Sequence, residues 1–391
     1  MCSGRKLFLS FLFVCFGQLF IVHGQQVRIG IFRHDPQFSV MVNPSLGDYK
    51  LFGDSLELGK LIPGNALKIS GDTNGVKVVS LNGETGVFRQ VLFVPQDSAA
   101  DIKFKGIQPS GKEKTYRGKI SIDYFNGSLR IINHLDLEDY LAGVVEAEAG
   151  YGHHQEFYKV QSIISRTYAL AHLYKHEEEG FHLCDQVHCQ AFKGKGKANV
   201  EILKATQLTH GIVIVDDSLK MITAAFHSNC GGQTANSEQV WTKAVPYLRS
   251  VKDPYCVSQP NAYWKKEITA LEWASYLKRY SIPVQDSTCF NYCSNFKQPY
   301  RMYCLSSCNK SIPFKNMRTE LNLKSTFFSV EMLNENTILL RGRGFGHGVG
   351  LCQEGAMKMA KLGFDYKTIL LHYFTGVHIV DIRTLQNFED F

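Results

Sequence analysis

The sequence predicts an α+β protein. Its first part is rich in antiparallel strands, a helical region carries the chemistry, and a disulfide-stapled helical hairpin is inserted late in the chain. Three observations predict this. Residues 26 to about 130 hold short β-branched and aromatic runs punctuated by Gly, Asn, Asp and Pro. From Asp136 onward apolar residues recur at helical spacing. Two Cys-x3-Cys pairs, Cys289/Cys293 and Cys304/Cys308, each place two sulfurs one helical turn apart. Strands and helices in separate runs argue for α+β over an alternating fold.

Residues 1–24 read as a secretory leader. Arg5 and Lys6 form a basic start, Leu7 to Val22 is an apolar run broken by Gly17 and Gln18, and Val22-His23-Gly24 offers compact residues for cleavage. The run is short for a bilayer span, and no later segment is apolar for long enough to be one. The expectation is an exported chain, periplasmic or cell-wall associated, that starts near Gln25 and has no transmembrane span after leader removal. Losing Arg5 and Lys6 lowers the formal net charge from +7 to +5. A mildly basic chain suits an anionic polymer outside the cytoplasm as well as plain solubility, and no nucleic-acid partner is expected.

The strand-rich region is expected over residues 25–130. Val27–Ile31, Val76–Ser80, Val87–Phe93 and Leu129–Ile132 are its strand candidates. Lys119–Tyr124 alternates cleanly and Asn126-Gly127 then reads as a hairpin turn. A second region is expected over residues 131–391. Asp136, followed by Glu138 and Asp139, reads as an N-cap with an acidic first turn for a helix through Val145. A second helix fits Gln155 to Tyr174. Strands are expected at Gly211–Val215 and Met221–Phe226, and a helix at Thr269–Tyr280. Two short helices, Glu354–Lys361 and Tyr366–Phe374, then stop at Gly363 and Gly376. The insertion falls at about 285–312. Eleven cysteines less Cys2 and Cys15 leave nine, and an exported chain with so many is expected to form disulfides. Two antiparallel helices riveted by Cys289–Cys308 and Cys293–Cys304 would satisfy the spacing. Four cysteines allow three pairings, and a zinc knot is the rival.

Several segments carry residues suited to chemistry. Arg341-Gly-Arg-Gly-Phe-Gly-His-Gly-Val-Gly350 loads glycine where an ordinary strand would avoid it, which points to close backbone approach to a ligand or to a second chain segment. His227-Ser-Asn-Cys-Gly-Gly-Gln233 has the same character. Glu148 is placed on the connection between two predicted helices, where a partly desolvated carboxyl can keep its proton and act as general acid; Glu146 competes for the role. Arg166 and Tyr168 lie mid-helix, where Arg either fixes a carboxylate or clamps a substrate group. Cys184, His188 and Cys189, with His182 nearby, have zinc-ligand types, although a Cys184–Cys189 bridge competes. Ser228 lacks the Gly-x-Ser-x-Gly setting of a nucleophile and reads as a hydrogen-bonding residue, with the amides at Gly231 and Gly232 available to a ligand. His347 and Gln353 flank the last glycine-rich turn.

Taken in order, these blocks resemble the stage II sporulation protein D family, also called the amidase-enhancer (LytB) domain. The matching segments are Tyr140–Val145 with Glu148, Gln161–Ala169, Cys184–Gln190, His227–Gln233 leading to Trp241, Tyr247–Ser250, Gly344–Gln353 and His372–Gly376, over roughly Leu135 to Val380. The N-terminal strands and the twin Cys-x3-Cys insertion fall outside the resemblance. It implies binding of peptidoglycan glycan strands stripped of peptide and their cleavage as a lytic transglycosylase. Glu148 would be the catalytic acid. Arg166, Tyr168, Gln190, His227, Ser228, Gly231, Gly232, His347 and Gln353 would bind substrate. One departure is Ala149-Gly150, where the family has a Met-Pro-like pair after this Glu. Some members hold zinc with Cys and His ligands, which adds to the zinc reading at Cys184, His188 and Cys189. The chemistry itself needs no cofactor, so such an ion would be structural. The family's other name implies the alternative, a non-catalytic glycan-binding enhancer of a cell-wall N-acetylmuramoyl-L-alanine amidase. A zinc hydrolase at Cys184, His188 and Cys189 is a third reading.

Overall fold

Alternation of buried and exposed residues gives the N-terminal region its sheets. Leu67 and Ile69 face inward around exposed Lys68, and Ile102 and Phe104 do so around Lys103. The computed structural model describes residues 25–80, 83–196 and 200–386, so the expected leader lies outside the described residues. A seven-stranded sheet runs in the order Leu183–Cys184, Gln26–Ile31, Ser128–Asp136, Lys119–Phe125, Gln90–Pro95, Tyr49–Gly53, Leu56–Leu61. A six-stranded sheet holds Lys114–Arg117, Asp101–Gln108, Ser39–Leu46, Leu67–Asp72, Gly75–Ser80 and Gly83–Phe88. Their inner faces share one apolar core. The expected hairpin turn is present, with Asn126 and Gly127 at φ 50° and 81°. The single strand expected over Val87–Phe93 is instead two strands parted at Arg89.

The strand Ser128–Asp136 crosses residue 130 and leads straight into helix α1 (Leu137–Ala149), whose Leu137, Tyr140, Leu141 and Val144 complete the core of the sheets. Helix α2 (Gln155–Ala171) packs on α1 and on α3 (Val200–Leu208). The strand Ile212–Asp216 forms as expected. Met221–Phe226 does not form one continuous strand: Met221 makes only an isolated bridge to Val215, and Phe226–His227 pairs with Leu351–Cys352.

A third core gathers residues of 263–343. The strands Tyr263–Thr269, Phe328–Asn334 and Thr337–Arg343 form its sheet, and α4 (Ala270–Arg279), α5 (Ser287–Ser294) and α6 (Phe314–Glu320) cover it. The expected helical hairpin is corrected here. Cys289 and Cys293 lie on α5, but Cys304 opens a β-hairpin, Cys304–Ser307 with Lys310–Pro313, and Cys308 sits in its turn at φ 51°. Alternation of Leu305 and Ile312 with Ser and Lys overrides the helix-compatible cysteine spacing. Cys289 is bonded to Cys308, while Cys293 and Cys304 remain thiols. The last helices are α7 (Gln353–Lys361) and α8 (Tyr366–Tyr373). No described helix is long and apolar enough to cross a membrane.

Candidate active site

Helix α1 starts where Asp136 caps it, its carboxylate accepting from the Glu138 amide at 2.8 Å. It then runs further than expected. Glu146-Ala-Glu148-Ala149 is good helix-forming sequence, and the helix stops only at Gly150, φ 71°. Glu148 therefore sits in the last helical turn and not on a connection. Its Oε1 accepts from the Ala191 amide at 2.8 Å. Burial pushes its pKa up, against the Ala191 hydrogen bond and the charge of Lys193. The carbonyl end of the helix dipole also favours the protonated form. Gln353, the first residue of α7, donates to the Glu148 carbonyl at 3.4 Å and to Gln161 Oε1 at 3.2 Å, which fixes the end of α1 from behind.

The Glu148 side chain lines a cleft of about 600 Å³ whose walls include Tyr168, Lys175, His188, Phe226, Trp241 and His347. Glu146, two residues away, points round the helix into a separate cavity lined by Arg117, Asp139 and Lys195, and is hydrogen-bonded by Tyr151. Of the two carboxylates, only Glu148 lines this cleft. Tyr168 stacks on His172 with ring centroids 4.2 Å apart, and Lys175 Nζ lies 3.2 Å from the Tyr168 hydroxyl. On the opposite wall the Trp241 and His347 rings are 5.7 Å apart.

His347 and His227 are held by one residue. His227 Nδ1 donates to the Val349 carbonyl at 3.1 Å, and the Val349 amide donates to His347 Nδ1 at 3.0 Å. This network assigns the neutral tautomer of each ring. Burial lowers the pKa of both, to about 4 for His347 and well below the usual range for His227. His227 is buried behind His347, with ring centroids 5.4 Å apart, and its Nε2 has no hydrogen-bond partner. The glycines serve the second of the two roles read from the sequence, close approach of chain segments. A Cβ on Gly344 would lie 2.5 Å from the Asn229 carbonyl oxygen, and one on Gly350 would lie 2.2 Å from that of Ala225.

Five expected binding residues do not face the cleft. Arg166 is 1% exposed, and its guanidinium makes paired hydrogen bonds of 2.8 and 2.6 Å to Glu138 and further ones to the carbonyls of Ile212 and Thr206. It is the structural ion pair, not a substrate clamp, because a buried cation must satisfy all its donors. The Gly231 amide is taken by Asn229 Oδ1 at 2.7 Å and the Gly232 amide by Cys256 Sγ at 3.3 Å, so neither is offered to a ligand. Ser228 receives a 3.4 Å hydrogen bond from Asn261 and accepts the Glu354 amide on its carbonyl. Gln190 is buried and accepts from the Tyr140 hydroxyl at 3.4 Å. Of the expected set, Glu148, Tyr168 and His347 line the cleft, and Gln353 and His227 support it from behind. Lys175 and His172 were missed, since both fall beyond the matching motif in an unremarkable polar stretch.

Beside the cleft His176, Cys184, His188 and Cys189 bring one ligand atom each within 4.8 Å of all the others. Cys189 Sγ lies 3.4 Å from His176 Nε2 and 4.0 Å from His188 Nδ1, and Cys184 Sγ lies 3.9 Å from the latter. A tetrahedral zinc site with ordinary Zn–S and Zn–N bonds has edges of about 3.3–3.8 Å, so the donor set fits. The fourth donor is His176, not His182, whose Nδ1 accepts from the Arg28 amide at 3.2 Å. The short strand Leu183–Cys184, paired in parallel with Gln26–Ile31, presents this loop.

Fold and site together define an α+β scaffold that sets one carboxyl, Glu148, in a polar, aromatic-walled groove. The stage II sporulation protein family model matches residues 125–215. An uncharacterised protein of Brachyspira hyodysenteriae is 31% identical over 321 residues, 81% of this chain and 82% of its own. Stage II sporulation protein D of Bacillus subtilis is 27% identical over 71% of this chain and 84% of its own. The amidase enhancer of the same organism is 24% identical over 60% of this chain and 39% of its own. The chain belongs to the stage II sporulation protein D family.

Proposed function

We propose that this protein is an exported lytic transglycosylase of peptidoglycan. It cleaves MurNAc-GlcNAc strands stripped of peptide and leaves 1,6-anhydro ends. Family membership carries the coarser statement, a role in cell-wall metabolism. The observation that carries the finer one is the solitary acid: among the described residues lining the cleft, Glu148 is the only carboxylate. Glycosidases that hydrolyse with water need a second carboxylate on the other ring face. A lytic transglycosylase does not, because the muramic acid supplies its own 6-hydroxyl. Glu148, whose hold on its proton burial strengthens, donates that proton to the glycosidic oxygen as the C1–O bond breaks. The 6-hydroxyl then closes on C1 and returns a proton to the Glu148 carboxylate. Such acid–base work is worth on the order of 10²–10⁴-fold, and alignment of the hydroxyl by Tyr168, Trp241 and the neutral His347 supports the remainder. Lys175 at the cleft suits the lactyl carboxylate that peptide removal exposes. Mass analysis of a digest of denuded glycan tests this reading. Saccharides lighter by one water than the corresponding reducing-end saccharides support it, and reducing ends alone reject it.

Zinc at His176, Cys184, His188 and Cys189 belongs to the same reading. Four protein donors make a closed, structural centre that orders the loop carrying the Ala191 amide to Glu148. The relative named an amidase enhancer favours a second role for the glycan-bound protein, stimulation of an N-acetylmuramoyl-L-alanine amidase. That role predicts stimulation by Glu148→Gln as strong as by wild type.

A further inference from the structure

A second cluster of ligand-type side chains lies away from the cleft. Cys230, Asp253, Cys256 and Cys352 are each completely buried, and their donor atoms all lie within 4.8 Å of one another. Cys230 Sγ is 3.3 Å from Cys256 Sγ and 3.2 Å from Asp253 Oδ2. We propose that these four residues bind a structural zinc ion, a Cys3Asp centre separate from the Cys2His2 site beside the cleft.

The surroundings are those of a metal–thiolate centre. Backbone amides point at two of the sulfurs, Cys230 N–H to Cys352 Sγ at 3.2 Å and Gly232 N–H to Cys256 Sγ at 3.3 Å, and such bonds favour thiolate over thiol. Asp253 is oriented by outer partners, as a ligating carboxylate is. Its Oδ1 accepts from the amides of Tyr255 and Cys256 at 2.9 and 3.2 Å, and its Oδ2 accepts from the Tyr373 hydroxyl at 3.0 Å. Gly355 makes the room: a Cβ there would lie 2.3 Å from Asp253 Oδ2.

An independent observation comes from Arg301. It is buried, yet its donors go to the carbonyls of Gln233 and Cys230 and to Thr326 Oγ1, and no carboxylate pairs with it among the described residues. A buried cation needs an anionic counterpart. Three thiolates and a carboxylate around a divalent ion carry net negative charge, and Arg301, hydrogen-bonded to the Cys230 carbonyl, lies next to it. A disulfide between any two of the cysteines would remove that charge. It would also strand the third thiol and the Asp253 carboxylate in the core. Soft thiolates with one oxygen select zinc over calcium or magnesium.

The ion would pin three distant segments behind the cleft. Cys230 lies three residues after His227, and Cys352 directly precedes Gln353, which holds the Glu148 carbonyl.

The test is metal analysis of the full exported chain, purified reduced and without chelator. Two zinc ions per chain are expected, one remaining in His176→Ala and one remaining in Cys352→Ser. In case Cys352→Ser fails to fold, cobalt loading of His176→Ala gives a second reading, the thiolate-to-cobalt charge-transfer band of a tetrahedral sulfur-rich centre. A single ion in wild type that His176→Ala abolishes would overturn the proposal. So would a disulfide among Cys230, Cys256 and Cys352 in the unreduced peptide map.

Discussion

Arg166 and the paired histidines show how individual side chains divide between chemistry and support. From local sequence Arg166 was open to two readings, and burial decides for the ion pair with Glu138. Arg166→Ala should destabilise the fold by about 3–5 kcal/mol in urea unfolding, because it strands Glu138 and two carbonyls, and a well-folded variant would refute the assignment. His347 makes a pH prediction. Its folded pKa of about 4 lies below its ordinary 6.5, so above pH 6.5 it is neutral in both states and adds no pH dependence. As pH falls from 6.5 the unfolded chain takes up the proton first, and stability falls until about pH 4. His227 is shifted the same way. The loss is on the order of 1 kcal/mol per histidine per pH unit, and denaturation midpoints of His347→Gln should fall less steeply over that window than those of wild type.

Among the elements, the glycine-rich turn and the zinc-type loop carry the arrangement of the site. Gly344 sits at φ 80° with a carbonyl where a Cβ would go, so Gly344→Ala should cost at least about 1–3 kcal/mol and be visible as a lowered Tm. Its sequence already announced close approach, although which segment approaches depends on the pairing of Phe226–His227 with Leu351–Cys352, a contact across more than a hundred residues. The loop is a similar case. Cys184, His188 and Cys189 were legible from spacing. His176 was not, since it comes from the stretch after α2 and reaches the sulfurs only through the fold. His176→Ala should lose its zinc equivalent while His182→Ala keeps it. Of the two Cys-x3-Cys pairs, Cys289/Cys293 lies on a helix as expected, whereas Cys304/Cys308 does not, for a physical reason: its spacing fits a helix turn, but the alternation of Leu305 and Ile312 fits a hairpin, and the hairpin's packing wins.

For the molecule as a whole, the α+β class and most helices and strands were readable because their periodicities are local. The shared core was not. Helix α1 closes the N-terminal sheets with Tyr140 and Val144 while presenting Glu148 to the cleft, so scaffold and site are one continuous piece. The account depends on that carboxyl, the only one among the described residues lining the groove, being the catalytic acid. The most direct measurement is the yield of 1,6-anhydro termini from denuded glycan with wild type and with Glu148→Gln, matched for zinc content and Tm. The account predicts a fall of on the order of 10²-fold or more with glycan binding retained. Equal yields from the two proteins would contradict it.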